Sequence, residues 1–263
     1  MGERKTYHRG RRKKKKGGII STLILIIAIA VFCVSGYQLY KIFGGYHQGK
    51  SEYYKVREVA VHGDDKDEDE FVVDFDELKK INADTVGWIR FYPEPSQISY
   101  PLVQTTDNDL YLNRTFSANE NTVGAIFVNC DNASDFSDRN TIIYGHRMRD
   151  HSMFHDLEKY KDESFWKENP YFYIYTPDGR KLTCHIYSAG IVKDTSNTYL
   201  TQFASDEEYQ AFLDDTKRAG AYHTGVEVTT DQRVVTLSTC TAASDDNRMV
   251  VRGVIESEDV VKK

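Results

Sequence analysis

Residues 17–40 form a run of 24 without a Lys, Arg, Asp or Glu, and 19–34 is almost wholly aliphatic. As a helix, a run of that length rises about 36 Å, enough to cross a hydrocarbon core of ~30 Å. It has no polar face, which argues against a buried core helix. Tyr37, Tyr40 and Lys41 fall where an interfacial belt belongs. Residues 1–16 hold nine Lys/Arg and one acid, so the chain's net −6 hides a +8 head on a −14 body. A positive cluster ahead of the span predicts a cytoplasmic N-terminus and an extracellular remainder, a single-pass protein of the cell membrane. The rival reading is a cleaved signal peptide, for which Val34-Ser35-Gly36 is the candidate cleavage region. The uncleaved anchor over 17–43, behind a basic head over 1–16, is the reading favoured here.

Beyond the anchor, 44–70 reads as a solvated stalk. Gly44-Gly45 and Gln48-Gly49 break the pattern, and 64–70 packs six acids and one Lys into seven residues. The folded domain is expected over 71–263, and its acidity argues against nucleic-acid binding.

Within that domain short apolar, β-branched and aromatic runs dominate: 86–90, 98–104, 124–130, 140–144, 171–176, 181–191, 226–228, 234–239 and 249–255. Pro177-Asp178-Gly179 joins two of them as a hairpin turn. Helical spacing marks 74–82, a turn over 107–113, 152–160, and most strongly 205–219. There Ser205 caps the start, Glu208 follows three residues later, and Tyr209, Phe212 and Leu213 form one face. The expected fold is therefore mainly β with peripheral helices: a closed barrel of about eight strands, with the last helix packed on one flank.

Thr236-Leu237-Ser238-Thr239-Cys240 ends one strand in a thiol, and Arg248 opens the next. If the two strands pair, the cation stands beside the sulfur. Cationic neighbours favour the thiolate, and Arg keeps its charge. A cysteine enzyme also needs a proton donor. Among eight histidines, His146 in Tyr144-Gly145-His146 is the best placed, because a strand delivers it and Gly145 is expected to let the backbone turn. His151 and His155 follow, with Asp150 and Asp156 close by. This spacing is loose and is not HExxH, so no metal or cofactor is expected. Cys130 and Cys184 are read as unpaired buried thiols, with a disulfide as the alternative.

The order Tyr144-Gly145-His146, Thr-Leu-Ser-Thr-Cys240, then Arg248, behind an N-terminal anchor, resembles the sortases, cysteine transpeptidases of Gram-positive surfaces. The resemblance covers about 71–258 and is closest to class B, on Ser238, the helical segment before the first strand and the long helix from Ser205. It implies that Cys240 attacks the Thr carbonyl of a C-terminal sorting signal, NPQTN-like or LPxTG-like, to give a thioacyl enzyme. It implies that His146 shuttles the proton, that Arg248 holds the peptide and the oxyanion, and that a peptidoglycan amine resolves the intermediate. It further implies a peptide groove lined by Asn108, Leu112, Thr195, Tyr199, Leu200, Ser238 and Thr239. The pre-barrel segment has no Asp-Pro-aromatic lid, which disfavours a pilin polymerase that would use a pilin lysine. A non-catalytic anchored binding module is the remaining alternative. The family often places an acid after the Cys, where Thr241 stands here.

Overall fold

The computed structural model describes residues 18–63, 70–244 and 246–261, together with Gly2. The basic head beyond Gly2 and the acids over 64–69 lie outside the described residues. Two compact units divide the chain, Met1–Gly44 and Gly45–Lys263.

The first unit contains the start of helix α1 (Gly18–Ala60). The helix includes an 18-residue window of mean hydropathy 2.4, none of it buried, so by length and composition it can cross a membrane.

In the second unit α1 continues past Gly44 where a linker was expected. Tyr53, Val56 and Ala60, at i, i+3 and i+7, turn one face into the domain and are 8 %, 3 % and 0 % exposed. The Tyr53 hydroxyl donates to the Gly124 carbonyl (2.7 Å) and accepts from the Phe116 amide (3.1 Å). Its ring meets Tyr100 edge-on at 5.3 Å. The folded domain therefore begins near Gly45, about 25 residues before the expected start. Strand β1 (Val61–His62) pairs with β2 (Val72–Val73), and α2 (Phe75–Ile81) follows with Asp74 capping the Glu77 amide at 3.0 Å.

Eight strands then close a barrel: β3 (Thr85–Phe91), β4 (Ser99–Val103), β5 (Ile126–Val128), β6 (Asn140–Tyr144), β7 (Tyr171–Tyr175), β8 (Arg180–Lys193), β9 (Val234–Cys240) and β10 (Asn247–Val260). Their order around the wall is β10-β8-β7-β3-β4-β5-β6-β9, with β9 hydrogen-bonded back to β10. Only β4–β5 and β6–β9 are parallel. Several strands are buried over nearly their whole length because the outer face is also covered, so they read as apolar runs rather than alternations. Part of that cover is α4 (Asp206–Arg218), whose Tyr209, Phe212 and Leu213 pack with Tyr187, Val228, Val234 and Val254. Ser205 caps the Glu208 amide at 3.3 Å, as the sequence predicts.

Two expected elements differ. Residues 226–228 are not a strand, because both edges of β9 are already taken by β6 and β10; Val228 instead packs under α4. The helix expected over 152–160 starts later and is a 3-10 helix over His155–Lys161, followed by α3 (Glu163–Glu168). His151 and Met153, ahead of it, adopt φ of 65° and 57°, which delays helix entry. Arg147 Nη2 pairs with Glu158 Oε2 at 2.9 Å and ties the post-β6 loop to the 3-10 helix.

If residues 45–60 are part of the core, Tyr53→Ala lowers stability by about 3–5 kcal/mol in urea unfolding, whereas a solvated linker would show no change. The loop tie gives a pH signature. Burial alone would raise the Glu158 carboxyl, but Arg147 and Lys161 hold it below the ordinary glutamate value. Its folded value being depressed, the contribution is present above the unfolded value and is lost as pH falls through the folded one. Melting temperature should therefore fall on acidification below pH ~5, and less steeply in Glu158→Gln.

Candidate active site

Strand β9 delivers the thiol. Residues Val234–Thr239 are buried, and Cys240, at the open end, is exposed. The antiparallel ladder to β10 sets Arg248 directly opposite Cys240. On the other edge β6 runs parallel to β9, with Tyr144 opposite Ser238, and the Gly145 amide donates to the Ser238 carbonyl at 3.2 Å. The next residue is His146. Three separated segments thus converge at one rim of the barrel. A groove of about 240 Å³ there is lined by Asn108, Leu112, Phe127, Tyr144, Gly145, His146, Ser238, Thr239, Cys240 and Arg248.

Each polar group in it is oriented. His146 Nε2 lies 2.6 Å from the Leu112 carbonyl, which can only accept, so Nε2 carries the hydrogen and Nδ1 is left for proton exchange. Arg248 Nη1 donates to the Asn247 carbonyl at 3.1 Å, and Nη2 faces Asp194 Oδ2 at 3.7 Å. Asn108 accepts from the Cys130 amide at 2.9 Å and donates to Asn129 Oδ1 at 3.2 Å. Tyr199 stacks on Tyr144 (ring centroids 6.2 Å) and meets Ser238 Oγ at 2.9 Å. Thr239 Oγ1 is buried with no hydrogen-bond partner among the described residues. Burial and the neighbouring Tyr199 push the Tyr144 hydroxyl up to about 12, so it stays protonated near neutrality.

Glycine's role here differs from expectation. Gly145 does not adopt a positive φ; a Cβ there would stand 2.7 Å from the Phe154 ring, so its small size is what the fold uses. Gly124 does adopt a positive φ (65°), and a Cβ on it would come within 2.7 Å of the His146 ring. Gly124 therefore makes the room in which His146 sits.

Of the residues expected in the groove, His146, Cys240, Arg248, Asn108, Leu112, Ser238 and Thr239 line it, and Tyr199 adjoins it. Thr195 and Leu200 do not line it; both are exposed on the segment that follows β8. Sequence reading missed Phe127, Gly124 and Asp194. For Phe127 the signal was available, as an aromatic inside a short apolar strand. The four cysteines are unpaired. Burial pushes the Cys184 thiol far up, whereas Cys240 is open to solvent.

Known proteins share this fold. The Sortase domain family model matches residues 94–256. Sortase B of Staphylococcus aureus is 31% identical over 231 residues, covering 88% of this chain and 93% of that protein. A Staphylococcus aureus sortase B–substrate complex superposes with a TM-score of 0.65 at 35% identity, covering 72% of this chain and 85% of that one. Sortase B from B. anthracis superposes at 0.69 with 32% identity, covering 84% of this chain and all of that one. With the domain matched over more than half of its length and its closed barrel superposing on sortase B structures, the chain belongs to the sortase family of cysteine transpeptidases and is most like class B.

Proposed function

We propose that this chain is anchored in the membrane by α1, with residues 1–16 in the cytoplasm, and that its barrel cleaves a C-terminal sorting signal after Thr outside the cell. The signal is NPQTN-like or LPxTG-like, and the product is joined to a peptidoglycan amine. The observation that carries this reading is the cross-strand pairing of Cys240 with Arg248 in the groove that His146 also lines.

Chemistry follows from the arrangement. Cys240 gives its thiol proton to His146, Sγ attacks the Thr carbonyl, and negative charge gathers on the oxygen. Arg248 supplies a fixed donor for it, and preorganised donors of this kind are worth about 3–4 kcal/mol each. His146 protonates the departing amine, leaving a thioester on Cys240. The Leu112 carbonyl, accepting from Nε2, leaves Nδ1 as the nitrogen that exchanges the proton. The incoming amine then gives its proton to His146 and attacks the thioester, which restores the thiol. Leu112, Phe127 and Tyr144 offer apolar wall to the signal, and Asn108, Ser238 and the unpartnered Thr239 hydroxyl offer hydrogen bonds. Similarity to a Staphylococcus aureus sortase B–substrate complex also supports this reading.

Cys240→Ala should abolish cleavage of a fluorogenic sorting-signal peptide with the melting temperature unchanged; retained turnover would refute the assignment. His146→Ala should lower kcat by about 10²–10⁴. Arg248→Lys keeps the charge but loses the planar fork, and should lower kcat by about 10²–10³. Mass spectrometry of the stalled enzyme should find the acyl fragment on Cys240, and methanethiosulfonate should modify Cys240 well ahead of Cys184.

A further inference from the structure

His151, His155 and Asp156 stand outside the groove, on the segment that follows the His146 loop. One donor atom from each lies within 4.8 Å of the others. The loose spacing of His146, His151 and His155 predicts no metal site. The fold separates His146 from them, into the groove, and gives the pair a buried carboxylate in its place.

The three side chains are arranged as ligands. His155 Nδ1 donates to the Met148 carbonyl at 2.5 Å, which fixes the tautomer and leaves the Nε2 lone pair free. Asp156 is 4% exposed and divides its oxygens: Oδ2 takes the Lys159 ammonium at 2.9 Å, and Oδ1 faces His151 Nδ1 at 3.2 Å. Lys159 competes for the carboxylate, but it sits on the outer oxygen, where a ligating carboxylate takes its second-sphere partner. Two ligands about 2.0–2.1 Å from a tetrahedral zinc stand ~3.3 Å apart, close to the spacing of His151 Nδ1 and Asp156 Oδ1. The His151 and His155 rings already lie close together, with centroids 4.1 Å apart and planes tilted by 51°.

We propose that His151 Nδ1, His155 Nε2 and Asp156 Oδ1 bind one divalent first-row transition metal ion, of the Zn²⁺ class, and that the bound ion clamps the segment carrying His146. Two imidazoles and one carboxylate suit such an ion, whereas Ca²⁺ and Mg²⁺ need oxygen-rich shells. On binding, the ion exchanges its own waters for three coordinate bonds and keeps one water in the fourth position; the His151–Asp156 hydrogen bond breaks, and the His151 Nδ1 proton passes to solvent while the solvent-facing Nε2 carries the ring's remaining proton. The connection to His146 is short. The Phe154 amide, next to His155, donates to the His146 carbonyl at 2.9 Å, and its ring fills the space above Gly145. Arg147 and Met153 form a bridge across the same turn. An ion joining His151 to 155–156 would hold this turn closed. The site rests on its own donors and not on the transpeptidase reading.

The test uses the full chain in detergent micelles with Cys240→Ala, which removes the groove thiol as a competing ligand. Zn²⁺ binding is followed by calorimetry and Co²⁺ binding by its visible absorption. The expected result is one saturable equivalent, weakened about tenfold or more by His151→Asn and by His155→Gln. Asn tolerates the positive φ of His151, and that side chain is 61% exposed, so this variant keeps its fold even if His155→Gln does not. No saturable binding, or equal affinity in His151→Asn, overturns the site. Zn²⁺ should also slow hydrogen exchange at the Phe154 amide, and unchanged exchange with metal bound overturns the clamp.

Discussion

The two-sided ladder of β9 is the constraint on which the site depends. A strand hydrogen-bonded along both edges cannot slip by one residue without moving every side chain to the other face. β9 is held antiparallel to β10 and parallel to β6, so three facts follow together. Cys240 must lie opposite Arg248, Ser238 must lie opposite Tyr144, and His146 must leave the barrel at the same rim. The same ladder explains why only Cys240 of the strand is exposed: the residues before it are sealed in the wall, and pairing ends where the groove begins.

A second chain of contacts reaches that rim from the extension of α1 in the barrel unit. Tyr53 donates to the Gly124 carbonyl, and Gly49 lies against Val123, where a Cβ would come within 3.0 Å of the Val123 side chain. Both contacts fix the turn ahead of β5. Gly124 in that turn leaves room for the His146 ring, and Ala125 bonds the Tyr111 carbonyl next to Leu112, whose own carbonyl accepts from His146. The part of α1 that lies in the barrel unit therefore acts as a support for the imidazole. Shortening the domain to its barrel strands would take that support away.

The core of the site was legible because its signals are local. A β-branched run ending in Cys, another beginning with Arg, and a strand running into Gly-His each lie within a few residues, and their pairing follows once the runs are read as neighbouring strands. Residues 45–60 misled because Gly44, Gly45 and Gly49 look like helix breakers and the acids over 64–70 look like a linker. The periodic Tyr53, Val56 and Ala60 carried the opposite message. Asp194 was not legible, since its approach to Arg248 follows from the β8–β10 register, which sets Lys193 opposite Asn247 across more than fifty residues of chain. Gly124 was equally hidden: its positive φ belongs to a turn, but its purpose is a ring from another strand. Residues 226–228 have the composition of a strand and lack only a free edge to pair with.

The wall beneath the groove has its own polar support, and it sharpens the role of Tyr199. Arg252 lies four residues along β10 from Arg248 and is fully buried. It donates to Ser188 Oγ at 3.0 Å and to Thr198 Oγ1 at 2.8 Å, while its Nε has no hydrogen-bond partner among the described residues. A guanidinium held by hydroxyls and a carbonyl is a costly thing to bury, and burial lowers its proton affinity. What it secures is position. Thr198 precedes Tyr199, and Tyr199 bonds Ser238 and stacks on Tyr144, so a buried cation sets the ring that braces two strands of the groove. One strand thus carries two arginines with opposite tasks. Arg248 stands at the open end, 25% exposed, where arriving charge can meet it, and Arg252 is sealed in the wall, where it holds the residues that shape the approach.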